Sequence, residues 1–235
     1  MIPNCIFMLL FFFMVAGFAV LYKIRSASIV AVKKKYHWYL WIVTIVSVII
    51  ISDQLILKAI FILAIVLKGF FELINLDLNP YQKWRILALY LGVGLLSSFY
   101  FVWFNAEIIL PIFVFVVIFD GMSQIGGQLF GKHKLTPIIS PNKTWEGLGF
   151  GFFSAIMAIY VVINYQSSEY FSILHFIGFA FFALMGDLIA SKIKRMANVK
   201  DFDHLIPGHG GVLDRFDSFI TVMLYLMVIM LVDKV

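Results

Sequence analysis

Polar and apolar residues are segregated along this chain rather than interleaved. Apolar residues run almost without interruption over positions 5–22, 37–52, 54–67, 84–104, 108–119, 147–163, 171–186 and 216–232. Runs of this kind, continuous and not alternating, predict helices that cross a bilayer. Backbone in lipid must satisfy its own hydrogen bonds, which leaves helices or a closed barrel, and unbroken runs select helices. Polar stops separate the runs. Asp53 splits the second from the third, and a mixed loop over 68–83 follows, with Glu72, Asp77, Asn79 and Pro80. Asn105 and Glu107 close the fourth run. The run that starts at 108 is short, but the segment can continue helically through Asp120 towards Phe130. The expected fold class is all-α, a polytopic transmembrane helical bundle of about eight spans.

Composition agrees with the pattern. Of the 235 residues 63% are hydrophobic and 13% charged, with a mean hydropathy of +1.00, which excludes an ordinary soluble domain. The single cysteine, Cys5, cannot form an internal disulfide. No signal peptide is expected, because no Lys or Arg precedes the first apolar run. With no internal repeat or low-complexity tract, residues 1–235 are expected to form a single integral-membrane domain. Its helical N-terminal half is 1–119, and the half over 120–235 carries both charged loops.

The formal charge of +5 matters less than its distribution. With eight spans, the Lys/Arg-rich loops over 23–35, 68–85, 132–143 and 192–215 all fall on one side. The opposite loops, around Asp53, Asn105–Glu107 and Gln166–Glu169, contain no base. The positive-inside rule makes the basic side cytoplasmic and both termini external. Asp120 then ends the fifth span and Glu146 starts the sixth. Asp187 ends the seventh, while Asp214 and Asp217 begin the eighth. Carboxylates distant in sequence are thus expected at one depth, at the cytoplasmic membrane boundary.

Two polar stretches carry candidate chemistry. Over 191–217 the chain reads SKIKRMANVKDFDHLIPGHGGVLDRFD, with acids, bases and the glycines Gly208, Gly210 and Gly211 close together. Acids that can hold a divalent cation beside bases that can hold phosphates suggest metal-assisted phosphoryl chemistry. Asp187 and Asp214, with Asp217 near, are the candidate metal ligands. Helix-dipole capping could account for Asp214 and Asp217, but not for an acid at a helix C-terminus such as Asp187. The second stretch, GKHKLTPIISPNKTWEG over 131–147, offers Lys132, Lys134 and Lys143 as mobile charges and Ser140 and Thr144 as hydroxyl donors for phosphate. Composition reads equally well as a topogenic loop on anionic headgroups, and part of the stretch resembles a helix start. His209 could meet pyrophosphate as a donor or proton carrier, or serve as a hydrogen-bonded loop residue. Lys58, inside an apolar run, is expected to snorkel, and Gly92 and Gly94 to serve close helix packing. There is no Walker A lysine loop, GxSxG elbow, CxxC pair or HExxH helix.

These residues also carry a resemblance. Ser191-Lys192-Ile193-Lys194-Arg195, Lys200-Asp201 and the run from Ile206 to Asp217 closely resemble the signature of phosphatidate cytidylyltransferases, also called CDP-diacylglycerol synthases. Asp120, Gly127, Phe130-Gly131-Lys132 and the run from Ile139 to Gly147 are similar to the family's other motif, and Gly186-Asp187 to its third element. The likeness covers roughly the C-terminal half. Asp203 stands where the family pattern usually has a small residue, and Ala190 where many members carry an acid.

The resemblance implies transfer of CMP from CTP to phosphatidate, giving CDP-diacylglycerol and pyrophosphate, with Mg²⁺ and a monovalent companion such as K⁺. It implies Asp187 and Asp214 as the metal-binding acids, with Asp217 supporting them. Lys143, Arg195, Lys200, His209 and Arg215 are the implied catalytic groups. Ser140, Lys143, Thr144, Lys194, Gly210 and Gly211 would hold the nucleotide phosphates. The expected partners are phosphatidate, CTP and the lipid bilayer of a cell (inner) membrane, with no nucleic acid; a homodimer is left open. A different lipid phosphate as acceptor is the nearest alternative, and a non-enzymatic transporter or scaffold the more distant one. Transport would call for acids near mid-bilayer on broken helices.

Overall fold

A computed structural model describes residues 29–166, 171–205 and 210–233. Among the described residues the order is α1 (Ile29–Ser52), α2 (Leu55–Ile74), α3 (Pro80–Trp103), α4 (Ala106–Phe130), β1 (Lys134–Thr136), β2 (Ser140–Thr144), α5 (Trp145–Gln166), α6 (Ile173–Met196) and α7 (Leu213–Asp233). Helices α3, α4, α6 and α7 are long and apolar enough to cross a membrane. Large apolar side chains stand exposed along them, among them Leu89, Phe99, Leu174 and Leu231, as lipid-facing positions require. The chain is a helical membrane protein. The expected span over 5–22 lies outside the described residues.

Most breaks fall at the polar stops. Helix α1 ends at Ser52 and α2 starts at Leu55, with Asp53 between them at φ 51°. Asn79 caps α3 by accepting from the Tyr81 N–H at 3.1 Å, with Pro80 at the first helical position. Helix α4 runs unbroken through Asp120 to Phe130.

Elsewhere helices outlast their apolar runs. Lys33–Lys35 lie on α1 rather than in a loop, and α2 continues through Lys68 and Glu72 to Ile74. Helix α6 passes Asp187 and ends only at Met196, so Asp187 lies within a helix and not at its end. The reason is visible in burial. Ala190, Ser191, Lys194 and Ala197 are buried at helical spacing, so the inward stripe continues where average hydropathy has already fallen. The segment over 132–143 is not an open loop but an antiparallel ribbon, with Lys134 opposite Thr144 and Thr136 opposite Ser140.

The described residues belong to two units. The first takes the chain up to Ile45 and Leu110–Ala180; the second takes Val46–Ile109 and Phe181–Val235. In the first, α4 and α5 pack through small residues. A Cβ added at Gly147 would come within 2.6 Å of the Ser123 carbonyl, and one at Gly151 within 2.6 Å of the Phe119 carbonyl. Tyr39 Oη donates to the Val117 carbonyl at 3.2 Å. Rings of Phe115 and Phe176, 5.3 Å apart, and of Phe171 and Phe179, 5.4 Å apart, fill the interior.

In the second unit α2, α3 and α7 share a core in which Phe61 meets both Phe101 and Phe216. Ser97 Oγ donates to the Ile220 carbonyl at 2.9 Å, and Gly94 lets the Val66 side chain approach. Gly92 faces open space instead, so only one of the expected glycine pair serves packing. Lys58 does not snorkel: it is buried and donates to Asp53 Oδ1 at 2.7 Å and to the Phe104 carbonyl at 2.8 Å. Helices α6 and α7 touch at Gly186, where a Cβ would lie 2.6 Å from the Asp217 carbonyl. Thr221 Oγ1 donates to the Phe182 carbonyl on the same seam at 2.9 Å.

Candidate functional site

In the second unit the polar stretch between α6 and α7 is built around Asp214. Helix α6 stops because Asn198 adopts a left-handed conformation at φ 55°, with the Val199 N–H donating to the Lys194 carbonyl at 2.9 Å. The chain then turns back. Asp214 Oδ1 accepts from Lys194 Nζ at 2.6 Å, and Oδ2 accepts from the Phe202 and Gly211 N–H groups, each at 2.9 Å. The Lys194 and Asp214 side chains are only 11% and 3% exposed, so this is a buried pair fully furnished with hydrogen bonds. Lys194 Nζ also sits 5.1 Å from the centre of the Phe202 ring. Gly210, at φ +79°, needs to be glycine for its backbone angle and because a Cβ would lie 2.6 Å from Asp214 Oδ2.

Sequence reasoning missed Glu72. It lies on α2, its side chain 0% exposed, and accepts from the Val212 N–H at 2.8 Å and the Leu213 N–H at 2.9 Å. These are donors that the start of α7 leaves without an intrahelical partner. A Cβ on Gly211 would meet Glu72 Oε2 at 2.6 Å, which fixes glycine there too. One turn earlier on α2, Lys68 donates to Asp203 Oδ2 at 2.7 Å. That hydrogen bond, helped by one from the His204 N–H, holds the Asp203 carboxyl below its ordinary range. A signal was present in the sequence: Lys68 and Glu72 stand at i,i+4 among apolar residues, a helical spacing inside a segment read as loop.

In the first unit the ribbon leads into α5. Thr144 is buried and caps that helix, its Oγ1 accepting from the Gly147 N–H at 3.1 Å. Glu146 closes the ribbon by accepting from the Lys132 N–H at 3.1 Å, the His133 N–H at 3.2 Å and the His133 ring at 2.6 Å. The His133 ring is the main cause that pulls the Glu146 carboxyl down to about 2. Ser140 opens β2, and Lys143 lies half-buried near its end.

The remaining candidates fall as follows. Asp187, half-buried on α6, accepts from Ser191 Oγ at 3.3 Å, and Asp217 Oδ1 accepts from the Ser218 N–H at 2.8 Å. Arg195 is exposed and donates to the Val199 carbonyl at 3.0 Å; Lys200 is exposed in the loop. Arg215 Nε is buried with no hydrogen-bond partner among the described residues. His209 lies outside the described residues.

A divalent cation can be tested against this donor set. Among the described residues no group of three or more His, Cys, Asp or Glu side chains could hold a metal on its own. Mg²⁺ usually takes one or two carboxylates and completes its shell with substrate phosphates and water, so two acids suffice. Asp187 follows Gly186, the residue packed on the backbone of Asp217, so two acids, the number required, flank one helix crossing. The Asp214 carboxylate already accepts three hydrogen bonds, one from an ammonium group.

Comparison with known proteins adds the family context. Residues 86–232 match the model of the cytidylyltransferase family. A phosphatidate cytidylyltransferase of Staphylococcus epidermidis is 39% identical over 137 residues, covering 57% of this chain and 53% of that protein. Proteins of the same name from Staphylococcus saprophyticus and Staphylococcus aureus are each 36% identical over 137 residues, with the same coverage. The chain spans about half the length of the curated relatives it matches.

Proposed function

Because the chain belongs to the cytidylyltransferase family, matched over residues 86–232, we propose that it transfers CMP from CTP to phosphatidate, releasing pyrophosphate and forming CDP-diacylglycerol. The observation that carries this reading is the way Asp214 gathers Lys194, Phe202 and Gly211. It ties the end of α6, the returning loop and the start of α7 into one polar structure, in the segment that bears the signature. The names of the staphylococcal relatives supply the acceptor.

The reaction is a direct in-line displacement. The phosphomonoester oxygen of the lipid attacks the α-phosphorus of CTP, a new P–O bond forms, and the bond to the β-phosphate oxygen breaks as pyrophosphate leaves. A phosphate dianion is a nucleophile at neutral pH, so no deprotonating base is needed. The protein must instead bring two polyanions together. In the second unit Arg195, Lys200 and Arg215 would neutralise and orient them, with Lys194 holding Asp214 in place; in the first unit Lys143, with Ser140 and Thr144 near it in the sequence, would be a phosphate-binding group. Arg215 Nε offers a buried donor for a phosphate oxygen. Asp187 and Asp217 would hold Mg²⁺, with Asp214 three residues before Asp217 and K⁺ as a monovalent companion; bound there, Mg²⁺ would supply charge neutralisation for the two polyanions. His209 would serve as a donor to the leaving pyrophosphate.

The site is proposed at the cytoplasmic boundary of about eight spans, on the basic side of the membrane, where acyl chains stay in lipid and CTP arrives from water. Purified protein given radiolabelled CTP, phosphatidate and Mg²⁺ should move label into the lipid extract, and Asp187→Asn, still inserted and folded, should lose that turnover. Label that stays in the aqueous phase with wild-type protein overturns the activity. Near-normal turnover by Asp187→Asn removes Asp187 from the metal role. Exchanging phosphatidate for an ether-lipid or polyprenyl phosphate tests the acceptor.

A further inference from the structure

Helix α2 reaches the signature turn from outside the matched region. Glu72 and Lys68 both precede residue 86, where the family match begins. Two independent contacts leave one face of this helix. Glu72 accepts the Val212 and Leu213 N–H groups, and Lys68 pairs with Asp203 on the returning loop. Between these two attachment points in sequence lie residues 204–211, and directly after them comes Asp214. The pair with Lys68 also gives a reason for the acid at 203, where the family pattern usually has a small residue. Its charge has a cation 2.7 Å away on another helix.

The chemistry of the two contacts differs. Glu72 is fully buried and its acceptors meet a helix start, whose partial positive charge favours an anion. Nothing but an acceptor fits there, because two N–H groups point at it and Gly211 leaves it no slack. Lys68 and Asp203 are 34% and 41% exposed, so their pair is an adjustable strap rather than a buried anchor.

We propose that Glu72 and Lys68 are positioning residues for cytidylyl transfer: Glu72 fixes where α7 begins, Lys68 holds the loop through Asp203, and together they set the location of Asp214 and Arg215. This rests on the proposed function for its catalytic consequence, but the tether itself does not. Two readouts therefore separate the parts. Hydrogen exchange on wild-type protein and Glu72→Gln reads the amides of Val212 and Leu213 directly. Glu72→Gln keeps the size and one acceptor, and its exchange at those two amides should rise at least tenfold, as expected for loss of charge-assisted hydrogen bonds of about 1.5–3 kcal/mol. Exchange in α3 and α4 should stay as it was.

Turnover of labelled CTP and phosphatidate reads the consequence. Lys68→Glu and Asp203→Lys should each lower kcat/KM for CTP by about twofold to fivefold, the range for an exposed ion pair. The combined Lys68→Glu/Asp203→Lys protein should return to within about twofold of wild type, a rescue that general destabilisation would not produce. Unchanged exchange at Val212 and Leu213 in Glu72→Gln overturns the tether. Raised exchange with full kcat/KM, or a charge swap no better than its single variants, overturns the positioning role. A wild-type protein inactive on CTP and phosphatidate overturns the proposed function and the catalytic role with it, while exchange still decides the tether.

Discussion

Replacing Asp214 by Asn should unfold the signature segment before it says anything about chemistry. The wild-type carboxylate gives Oδ1 to Lys194 and Oδ2 to two backbone N–H groups. An amide cannot do both. If its oxygen keeps the N–H groups, its NH₂ faces the Lys194 ammonium, donor against donor; turned round, it leaves the Phe202 and Gly211 N–H groups unsatisfied. Removing one member of a buried ion pair costs about 3–5 kcal/mol, because the other charge stays buried without a partner. Lys194 is 11% exposed and keeps its contact with the Phe202 ring, so the lower end applies, about 3 kcal/mol. For a chain of this size that amounts to a fall in Tm of about 6–12 °C. Thermal unfolding in detergent would measure it on wild type, Asp214→Asn, Lys194→Met and the double variant. The double variant removes the stranded charge and should recover to within about 1 kcal/mol of wild type, while turnover of CTP stays lost. An Asp214→Asn protein that melts within about 2 °C of wild type, or a double variant no more stable than Asp214→Asn, would refute the buried-pair reasoning.

The ribbon gives a pH prediction. The Glu146 carboxyl is lowered from 4.5 to about 2 in the folded protein, chiefly by the His133 ring, so its stabilisation of the ribbon is full above about pH 4.5 and disappears as pH falls towards 2. Trp145 fluorescence followed from pH 6 to 2 should report the loosening, and His133→Ala should move its midpoint upward towards the unperturbed carboxyl; an unmoved midpoint counts against the contact. The glycines give a steric one. Gly186→Ala pushes a methyl group to 2.6 Å from the Asp217 carbonyl and should lower stability by about 1–3 kcal/mol. Gly92→Ala meets nothing within 4 Å and should be neutral or stabilising by up to about 1 kcal/mol. Equal melting of the two variants would refute the close approach of α6 and α7.

The helices that could be read from the chain were those whose side chains alone decide them. In α3 and α7 the apolar run is long enough to span, and Asp53 interrupts 37–67 with a charge. The tail of α6 was hidden because Asp187, Ser191 and Lys194 lower local hydropathy while their spacing still presents a buried stripe. The same misreading dissolved the end of α2 into a loop and took Glu72 with it. At the site, the concentration of charged residues over 191–217 was legible, and so was a helix start within 140–146, though not that Thr144 is its cap. What Asp214 binds was not, since two of its three donors are backbone N–H groups, which every residue but proline carries. Glu72 meets its donors across 140 positions in the chain, a distance over which pattern and propensity carry no information.

Those backbone donors also change how an anion can meet the glycine turn. From sequence, the turn is expected to give N–H groups to phosphate oxygens. In the structure the Gly211 N–H is given to Asp214, and those of Val212 and Leu213 to Glu72. A helix start favours negative charge, and here two protein carboxylates already supply it. A phosphate could take these donors only by displacing one carboxylate while standing beside the other, a like-charge approach that costs more than the hydrogen bonds return. On the proposed function, phosphate recognition would therefore fall to side-chain cations near the start of α7. Arg195 and Lys200 are exposed to an incoming nucleotide, and Arg215 brings a buried Nε that has no partner among the described residues. Gly210 and Gly211 leave room for the Asp214 and Glu72 carboxylates that fix the first turn of α7, and Arg215 is carried on that turn.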